Sequence, residues 1–474
     1  MMFKSSVRKC AWLLVIFFSV FLLIGCDLFA TEEQPMFGVN GLPLIHLTEE
    51  AREIALEDFD YLAQRLLENA PSQIIIERRF GVSLEWVLDF LRDEIYSMEP
   101  LESLHFLLMG EEDAPEEFST DPLALAGEYL SSLLLWLTFD LDGLGHLGPQ
   151  SLAGYREMLE IHLALLHQTE VVDGRLMIGE EDHGSAASLP WLERRANVFN
   201  QEASLAFFGL TLADINLYRE IDDFGFREEG NVTTEIIENG RIAYLHIDNF
   251  MNNRAFDSEI LFPFYEEIQD FEHLIIDLRG NGGGTMAYLN YIIPMLMDEP
   301  VEASYHEFFM AGDLVQAEFD DEGVVSEDDD ERLEVLLASE FVAEQAFPYF
   351  NEGALDVLEH VVTWPLTFEP REDNIPFSGR IWILVDGNSA SLSELVAMIA
   401  VDSGFATVVG EPTAGITPAL HVYVSLPRTG IIYRMDIGYI VDAKGRSLEE
   451  YGVMPDILIN EADDALETVL ELIN

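Results

Sequence analysis

From Thr48 the chain reads as an amphipathic helix. Ala55, Phe59, Leu62 and Leu66 recur at spacings of four, three and four, Glu49 and Glu50 fill the first turn, and Thr48 stands at the N-cap position. Further segments of helical period follow at about 83–98, 120–139, 150–168 and 202–222, so residues 46–230 are expected to be mainly helical. Near residue 232 the period changes. Thr233–Ile237, Ile242–Ile247 and Leu274–Leu278 are short β-branched or apolar runs bounded by Asn-Gly, Asn-Asn and Gly clusters, and Ile381–Val385 is another, followed by a helical run Ser393–Val401. Strands alternating with helices predict an α/β core over residues 231–474. Within it, residues 296–372 show no clean period and hold the acidic runs Asp320-Asp321-Glu322 and Glu327 to Glu331. That stretch reads as an insertion, its acidic part a solvated loop without the spacing of an EF-hand.

The N-terminus has a different pattern. Lys4, Arg8 and Lys9 precede an apolar run from Ala11 to Ile24, too short for a comfortable membrane span. It ends in Leu23-Ile24-Gly25-Cys26, which resembles the lipobox of bacterial lipoproteins. That resemblance implies a signal peptide over residues 1–25, an acylated Cys26, and a tether over 26–45, rich in Gly, Pro and acids, leading from a membrane anchor. The expected location is extracytoplasmic, on the periplasmic face or the cell surface.

Composition narrows the function classes. With 24 Lys+Arg against 88 Asp+Glu, the formal charge of the 474 residues is −64, and loss of residues 1–25 removes three cations and takes it to −67. Nucleic acid and anionic membrane surfaces are repelled by such a chain. Two cysteines exclude zinc ribbons and disulfide frameworks, and after processing only Cys26 remains. The sole lysine beyond the signal is Lys444. Scarce lysine and high acidity suit a salty or alkaline medium, where ions screen the self-repulsion. No metal or cofactor is expected.

Two passages carry chemistry. In Ile275-Ile276-Asp277-Leu278-Arg279-Gly280-Asn281-Gly282-Gly283-Gly284 an apolar strand runs into a glycine turn whose N–H groups can converge on an anion, without the Lys-Ser/Thr of a phosphate loop. In Asp386-Gly387-Asn388-Ser389-Ala390-Ser391-Leu392-Ser393-Glu394 a serine sits where a strand gives way to a helix, and the next N–H can face a developing oxyanion. Alone, the second passage reads more readily as a Ser-rich helix cap.

Together these passages resemble the C-terminal-processing, or tail-specific, serine peptidases. The resemblance extends to Val408-Val409-Gly410-Glu411-Pro412-Thr413-Ala414-Gly415, to Gly452-Val453-Met454-Pro455-Asp456-Ile457, to Asn239-Gly240-Arg241-Ile242-Ala243-Tyr244, and weakly to Asp58-Phe59-Asp60-Tyr61-Leu62. It implies a ClpP/crotonase-like core of β-β-α units behind a mainly helical N-terminal domain, peptide or protein substrates, and Ser391 as nucleophile. Leu392 and Gly283 are the implied oxyanion donors, with Glu394 and Asp402 in support.

The chain departs from that family in three places. The family's lysine base falls on Ile416, which cannot accept a proton, while Lys444 lies in a surface-like turn, Asp442-Ala443-Lys444-Gly445-Arg446. A second branch, similar to the tricorn protease core, uses histidine and glutamate instead. Leu141-Asp142-Gly143-Leu144-Gly145-His146-Leu147 resembles its histidine motif with two residues inserted, and Glu449 matches its glutamate. The resemblance therefore implies His146 as general base and Glu449 as its orienter, with His421 and His183 as lesser candidates. Residues 150–230 show no PDZ-like Gly-Leu-Gly-Phe loop, and Gly284 to Ser391 is about twice the family's spacing, which makes 296–372 a candidate lid. A rival reading keeps the fold without the chemistry: a catalytically inactive lipoprotein binding peptides or hydrophobic ligands, as in the retinoid-binding proteins that share the fold.

Overall fold

The computed structural model describes residues 42–111, 117–140, 147–172, 175–178, 181–185, 189–216, 230–251, 253–320, 333–345, 347–417, 419–460 and 463–474. The expected signal peptide, Cys26 and His146 lie outside them, as do the acidic residues 321–332.

The first long helix, α1 (Glu49–Asn69), begins where its cap predicts, with Thr48 Oγ accepting the Ala51 N–H at 3.2 Å. Its buried face holds Ala51, Ile54, Ala55, Phe59, Leu62 and Leu66 at helical spacing. It packs with α2 (Leu84–Ser97) and α3 (Pro122–Asp140). The chain continues through β1 (Gly148–Pro149), α4 (Leu152–Gln168), a small antiparallel sheet of Thr169–Val172, Arg175–Ile178 and Glu181–Ser185, and α5 (Leu189–Phe199). Among the described residues of the helix expected over 202–222, Glu202–Phe207 is helical; Gly209 follows in the left-handed region and a 3₁₀ turn spans Leu212–Asp214.

The core is a six-stranded sheet. Its strands are β5 (Val232–Glu238), β6 (Ile242–Ile247), β7 (His273–Asp277), β10 (Arg380–Val385), β11 (Thr407–Gly410) and β15 (Ile457–Leu458), in the order β15-β11-β10-β7-β6-β5. All neighbours are parallel except the β5–β6 hairpin. The hairpin and α6 (Arg254–Ile268) make the expected β-β-α unit. One sheet face buries α6, α7 (Met286–Ile292) and α8 (Leu392–Ser403), and the other is covered by the terminal helix α9 (Ala465–Ile473). Covered on both sides, β7 and β10 read as continuous apolar runs without alternation.

The stretch 296–372, without clean period in the sequence, is largely strand and helix among its described residues. It contributes β8 (Val301–Phe309) and β9 (His360–Phe368), paired antiparallel along their whole length, with β14 (Gly438–Val441) on the far side of β8. Pro365, opposite Ser304, lies beyond the part of β9 that the short strand Val335–Leu337 covers, where no ladder N–H is missed. A third sheet joins β12 (His421–Ser425), β13 (Ile432–Asp436) and β1.

One hydrophobic cluster runs from α1 and α3 into β8, β9 and the β12–β13 hairpin. Two buried polar residues of α1 fix this contact. Asp58 accepts from the Arg428 and Thr429 N–H groups and from Thr429 Oγ in the β12–β13 turn. Asn69 Oδ1 caps the helix Asp313–Asp320 at the Leu314 N–H. The N-terminal helices therefore clamp the elements that flank the core sheet.

Candidate active site

At the end of β10 the buried run Trp382–Val385 gives way to a turn tied down by hydrogen bonds of Asp386 and Ser389. Asp386 Oδ1 accepts the N–H groups of Asn388 and, across to the glycine turn, Gly280, each at 3.0 Å. These bonds hold its carboxyl below the usual range against the opposing effect of burial. Ser389 Oγ donates to the Leu278 carbonyl at 2.8 Å, and the Ala390 N–H to that of Asn281 at 2.9 Å. The two motifs read from the sequence are thus bolted together.

Ser391 stands at the N-cap of α8 with φ 55° and ψ −117°. Among the described residues only Met98 shares a positive φ without being glycine. Such a conformation costs on the order of 1–3 kcal/mol and persists only where the surroundings impose it. They do so here. The Ser391 N–H donates to the Ile416 carbonyl at 2.7 Å and to Glu394 Oε2 at 3.2 Å. Glu394 is fully buried, and its Oε1 accepts from Thr413 Oγ at 2.6 Å and the Gly415 N–H at 2.8 Å. Burial raises the Glu394 pKa to about 7 in spite of those donors. Glu394, read from the sequence as a supporting residue, thus bonds directly to the Ser391 N–H.

Gly283 touches the nucleophile. With φ +99°, a Cβ there would lie 2.7 Å from Ser391 Cβ. Its N–H is occupied, donating to Asn281 Oδ1 at 2.8 Å, so the oxyanion role read from the sequence is not open to it in this arrangement. The Leu392 N–H heads α8, where a helix offers it no carbonyl of its own. Asp402 lies 11 residues further along α8, about 16 Å away by helical rise, and is exposed; it is neither a buried support nor within reach of Ser391. Its pKa rises to about 6, first through partial burial of the carboxyl and then through Asp442.

Ile416 gives the nucleophile a carbonyl but no base, and Thr417 connects it to Glu449. Glu449, in the turn of helix Leu448–Tyr451, is buried and accepts from Thr417 Oγ at 3.4 Å. Burial, then the neighbouring Asp436 and Glu307, raises its pKa well above the usual carboxylate value. Beside it is a cavity of about 10 Å³, room for one water, lined by Asp436, Gly438 and Leu147 among others. Leu147 follows His146, which itself lies outside the described residues.

The other candidate bases lie elsewhere. His421 opens β12, with Nδ1 accepting from Arg434 at 3.3 Å and its ring edge-on to Tyr423. His183 falls in the strand Glu181–Ser185, with its side chain outside the described set. Lys444 is in an exposed turn held by Asp442. Sequence reasoning missed Glu307 and Asp436. Their one signal is an acid set next to buried apolar residues, Phe308 and Phe309 in one case and Met435 and Ile437 in the other.

Residues 241–459, a little under half of the chain, match the model of peptidase family S41. A protein of Chlamydia pneumoniae is 24% identical over 217 residues, 42% of this chain and 35% of its own length, so the match spans about a third of that relative. Among solved structures, mature CPAF complexed with lactacystin is 15% identical, covering 89% of this chain and 98% of its own with a TM-score of 0.48. The photosystem II D1 C-terminal processing protease is 13% identical, covering 90% and 97% with a TM-score of 0.36.

Proposed function

From a serine-peptidase core of family S41 in residues 241–459, we propose a lipid-anchored, extracytoplasmic enzyme that hydrolyses peptide bonds through an acyl-enzyme on Ser391. The observation that carries the reading is Ser391 itself, held at φ 55° on a strand-to-helix junction by the buried Glu394 and the Ile416 carbonyl. A hydroxyl held in that way is pre-positioned for attack.

In the reaction Ser391 Oγ bonds to the scissile carbonyl carbon while its proton passes to His146. The oxyanion takes the Leu392 N–H. Gly283 joins it once its amide leaves Asn281. Collapse breaks the C–N bond, and the imidazolium gives its proton to the departing amine. Water, deprotonated by the same imidazole, then cleaves the ester and frees Ser391. Glu449, buried beside Leu147, orients the imidazole by accepting from its second ring nitrogen. Anchoring rests on Leu23-Ile24-Gly25-Cys26, with a fatty-acylated Cys26 holding the protein on the periplasmic face or cell surface.

One observation favours the rival binding-protein reading: Ile416 stands where a lysine base would be. A fluorophosphonate probe separates the two, because only an activated serine reacts. Labelling is expected on Ser391, abolished by Ser391→Ala and slowed about 100-fold or more by His146→Ala. Folded protein that stays unlabelled refutes the enzyme. A Cys26→Ala variant that still fractionates with membranes refutes the anchor.

A further inference from the structure

A cleft of about 430 Å³ opens on the core sheet, lined by Thr233, Tyr244, His246, Asp277, Arg279 and Asp386. The period of two along a strand puts its floor on one face of the sheet. Tyr244 and His246 continue the row begun by Ile242, and Asp277 follows Ile275. Asp386, just past the end of β10, continues Trp382 and Leu384, and Thr233 is the cross-strand partner of His246. Ile242, Ile275, Trp382 and Leu384 are the residues that α9 covers, so the cleft lies on the α9 side. The intervening residues, such as Leu245, Ile276 and Ile383, pack with α8 on the opposite side, where Ser391 heads that helix. The cleft is therefore separate from the proposed active site, and its volume is that of a small-ligand site, about 300–1,000 Å³.

Most of its polar groups are already closed. Asp277 Oδ1 accepts from the N–H and Nε of Arg279, and Oδ2 accepts from Arg279 Nη2 at 2.6 Å and from Tyr244 Oη at 2.7 Å. Arg279 also donates to Asp464 through Nη1 at 2.9 Å, so its charge is met within the protein. Tyr244 is kept neutral by burial and then by Asp277; with its proton committed there, it offers only oxygen lone pairs.

Asp386 is left open. Its Oδ1 is taken by the Gly280 and Asn388 N–H groups, but Oδ2 has only a 3.4 Å contact from Asn388 Nδ2. The backbone donors keep this carboxyl ionised, and among the described residues no cation pairs with it. His246 has its Nδ1 buried without a partner. No hydrogen bond there fixes its tautomer, so its other nitrogen can turn a lone pair to the cleft.

The open groups are thus acceptors, one of them charged, and they call for a cation with N–H donors. A guanidinium needs two oxygens side by side, and Oδ1 is occupied. A metal ion needs several ligands, and among the described residues no three His, Cys, Asp or Glu are grouped to hold one. An ammonium is compact and carries three donors. We propose that this cleft is a binding site for a primary ammonium group, seated on Asp386 with Tyr244 and His246 beside it, on the side of the sheet away from Ser391. A free alkylamine and a lysine side chain supply the same group. The inference does not depend on the peptidase reading.

The test titrates the full chain with n-pentylamine and with Nα-acetyl-lysine amide, followed by ligand-observed NMR. Their neutral counterparts are n-pentanol and Nα-acetyl-norleucine amide, and high fixed salt screens the general acidity of the chain. Each amine is expected to bind about tenfold or more tightly than its counterpart. Asp386→Asn should remove that preference, whereas Asp402→Asn, the same loss of charge on α8, should leave it. A diazirine-bearing alkylamine, photo-crosslinked to the parent, should mark peptides holding residues 233–246, 277–279 or 386, which decides the matter even where the Asp386 variant does not fold. Tighter binding of the lysine amide than of pentylamine assigns a peptide side chain, and the reverse or equality assigns a free amine. Equal binding of amines and neutral counterparts, no binding, or crosslinks spread over other acidic surfaces overturns the proposal. So does a preference that survives in folded Asp386→Asn or falls equally in Asp402→Asn.

Discussion

Glu307→Gln should stabilise this protein, and increasingly so as the pH rises. Glu307 is 1% exposed in the middle of β8, between β9 and β14. Its Oε1 accepts the Leu420 N–H at 2.6 Å, and the carboxyl fills the space over Gly438 where any Cβ would overlap it. Burial raises its pKa from an ordinary 4.5 to about 8; Asp436 adds to the rise, while the Leu420 N–H and Trp364 oppose it. The carboxyls of Asp436 and Glu449 face it, and the indole of Trp364 is its polar neighbour on β9. Because the folded form binds the proton more tightly than the unfolded chain, its contribution to stability is complete below pH 4.5. That contribution is lost as the pH rises through 8. At 1.36 kcal/mol per pH unit, the loss is about 3 kcal/mol by pH 7 and about 5 kcal/mol by pH 9. Glutamine has the shape of the protonated acid, keeps the acceptor for Leu420 and does not titrate. It should be level with the parent, or up to about 1 kcal/mol worse, at pH 5. By pH 7 it should gain about 2–3 kcal/mol on the parent, and more at pH 9. Urea unfolding of both proteins at pH 5, 7 and 9 and fixed salt measures this, provided the slopes match. The general acid repulsion of the chain cancels in the comparison. A difference between variant and parent that is the same at all three pH values refutes the reasoning.

Two other perturbations test the frame around the nucleophile. Gly283→Ala places a Cβ 2.7 Å from Ser391 Cβ on a backbone at φ +99°, so Ser391 or the glycine turn must shift. Fluorophosphonate labelling should slow about 100-fold or more, and labelling at the parental rate disproves the contact. Asp58→Ala removes the acceptor of three donors in the β12–β13 turn and should lower stability by about 2–4 kcal/mol. An unchanged urea midpoint would show that α1 does not clamp that hairpin.

The sequence by itself determined what local chemistry determines. A Thr cap, two acids and apolar spacings of three and four are enough to start and face α1, because helix contacts lie within one turn. An apolar run broken by Asp-Gly-Asn-Ser or Arg-Gly-Asn-Gly is enough to end a parallel strand in a tight turn, which placed Ser391 at the head of α8. Period failed where it carries no information. Strand β9, with Pro365 and covered segments of unequal length, does not alternate, so 296–372 shows no clean period in the sequence although β8 and β9 pair over nine residues. The small sheet after α4 was missed for the same reason: its strands are four or five residues long. Only the tertiary structure could bring Glu307, Asp436 and Glu449 together, or set Arg195 of a helix beside Arg434 of a strand. Charge on a side chain is a local fact, but burial is not. A carboxylate's proton and an arginine's counter-ion depend on which distant segments exclude the water, and that is settled only when α1, β8 and the β12–β13 hairpin close on one core.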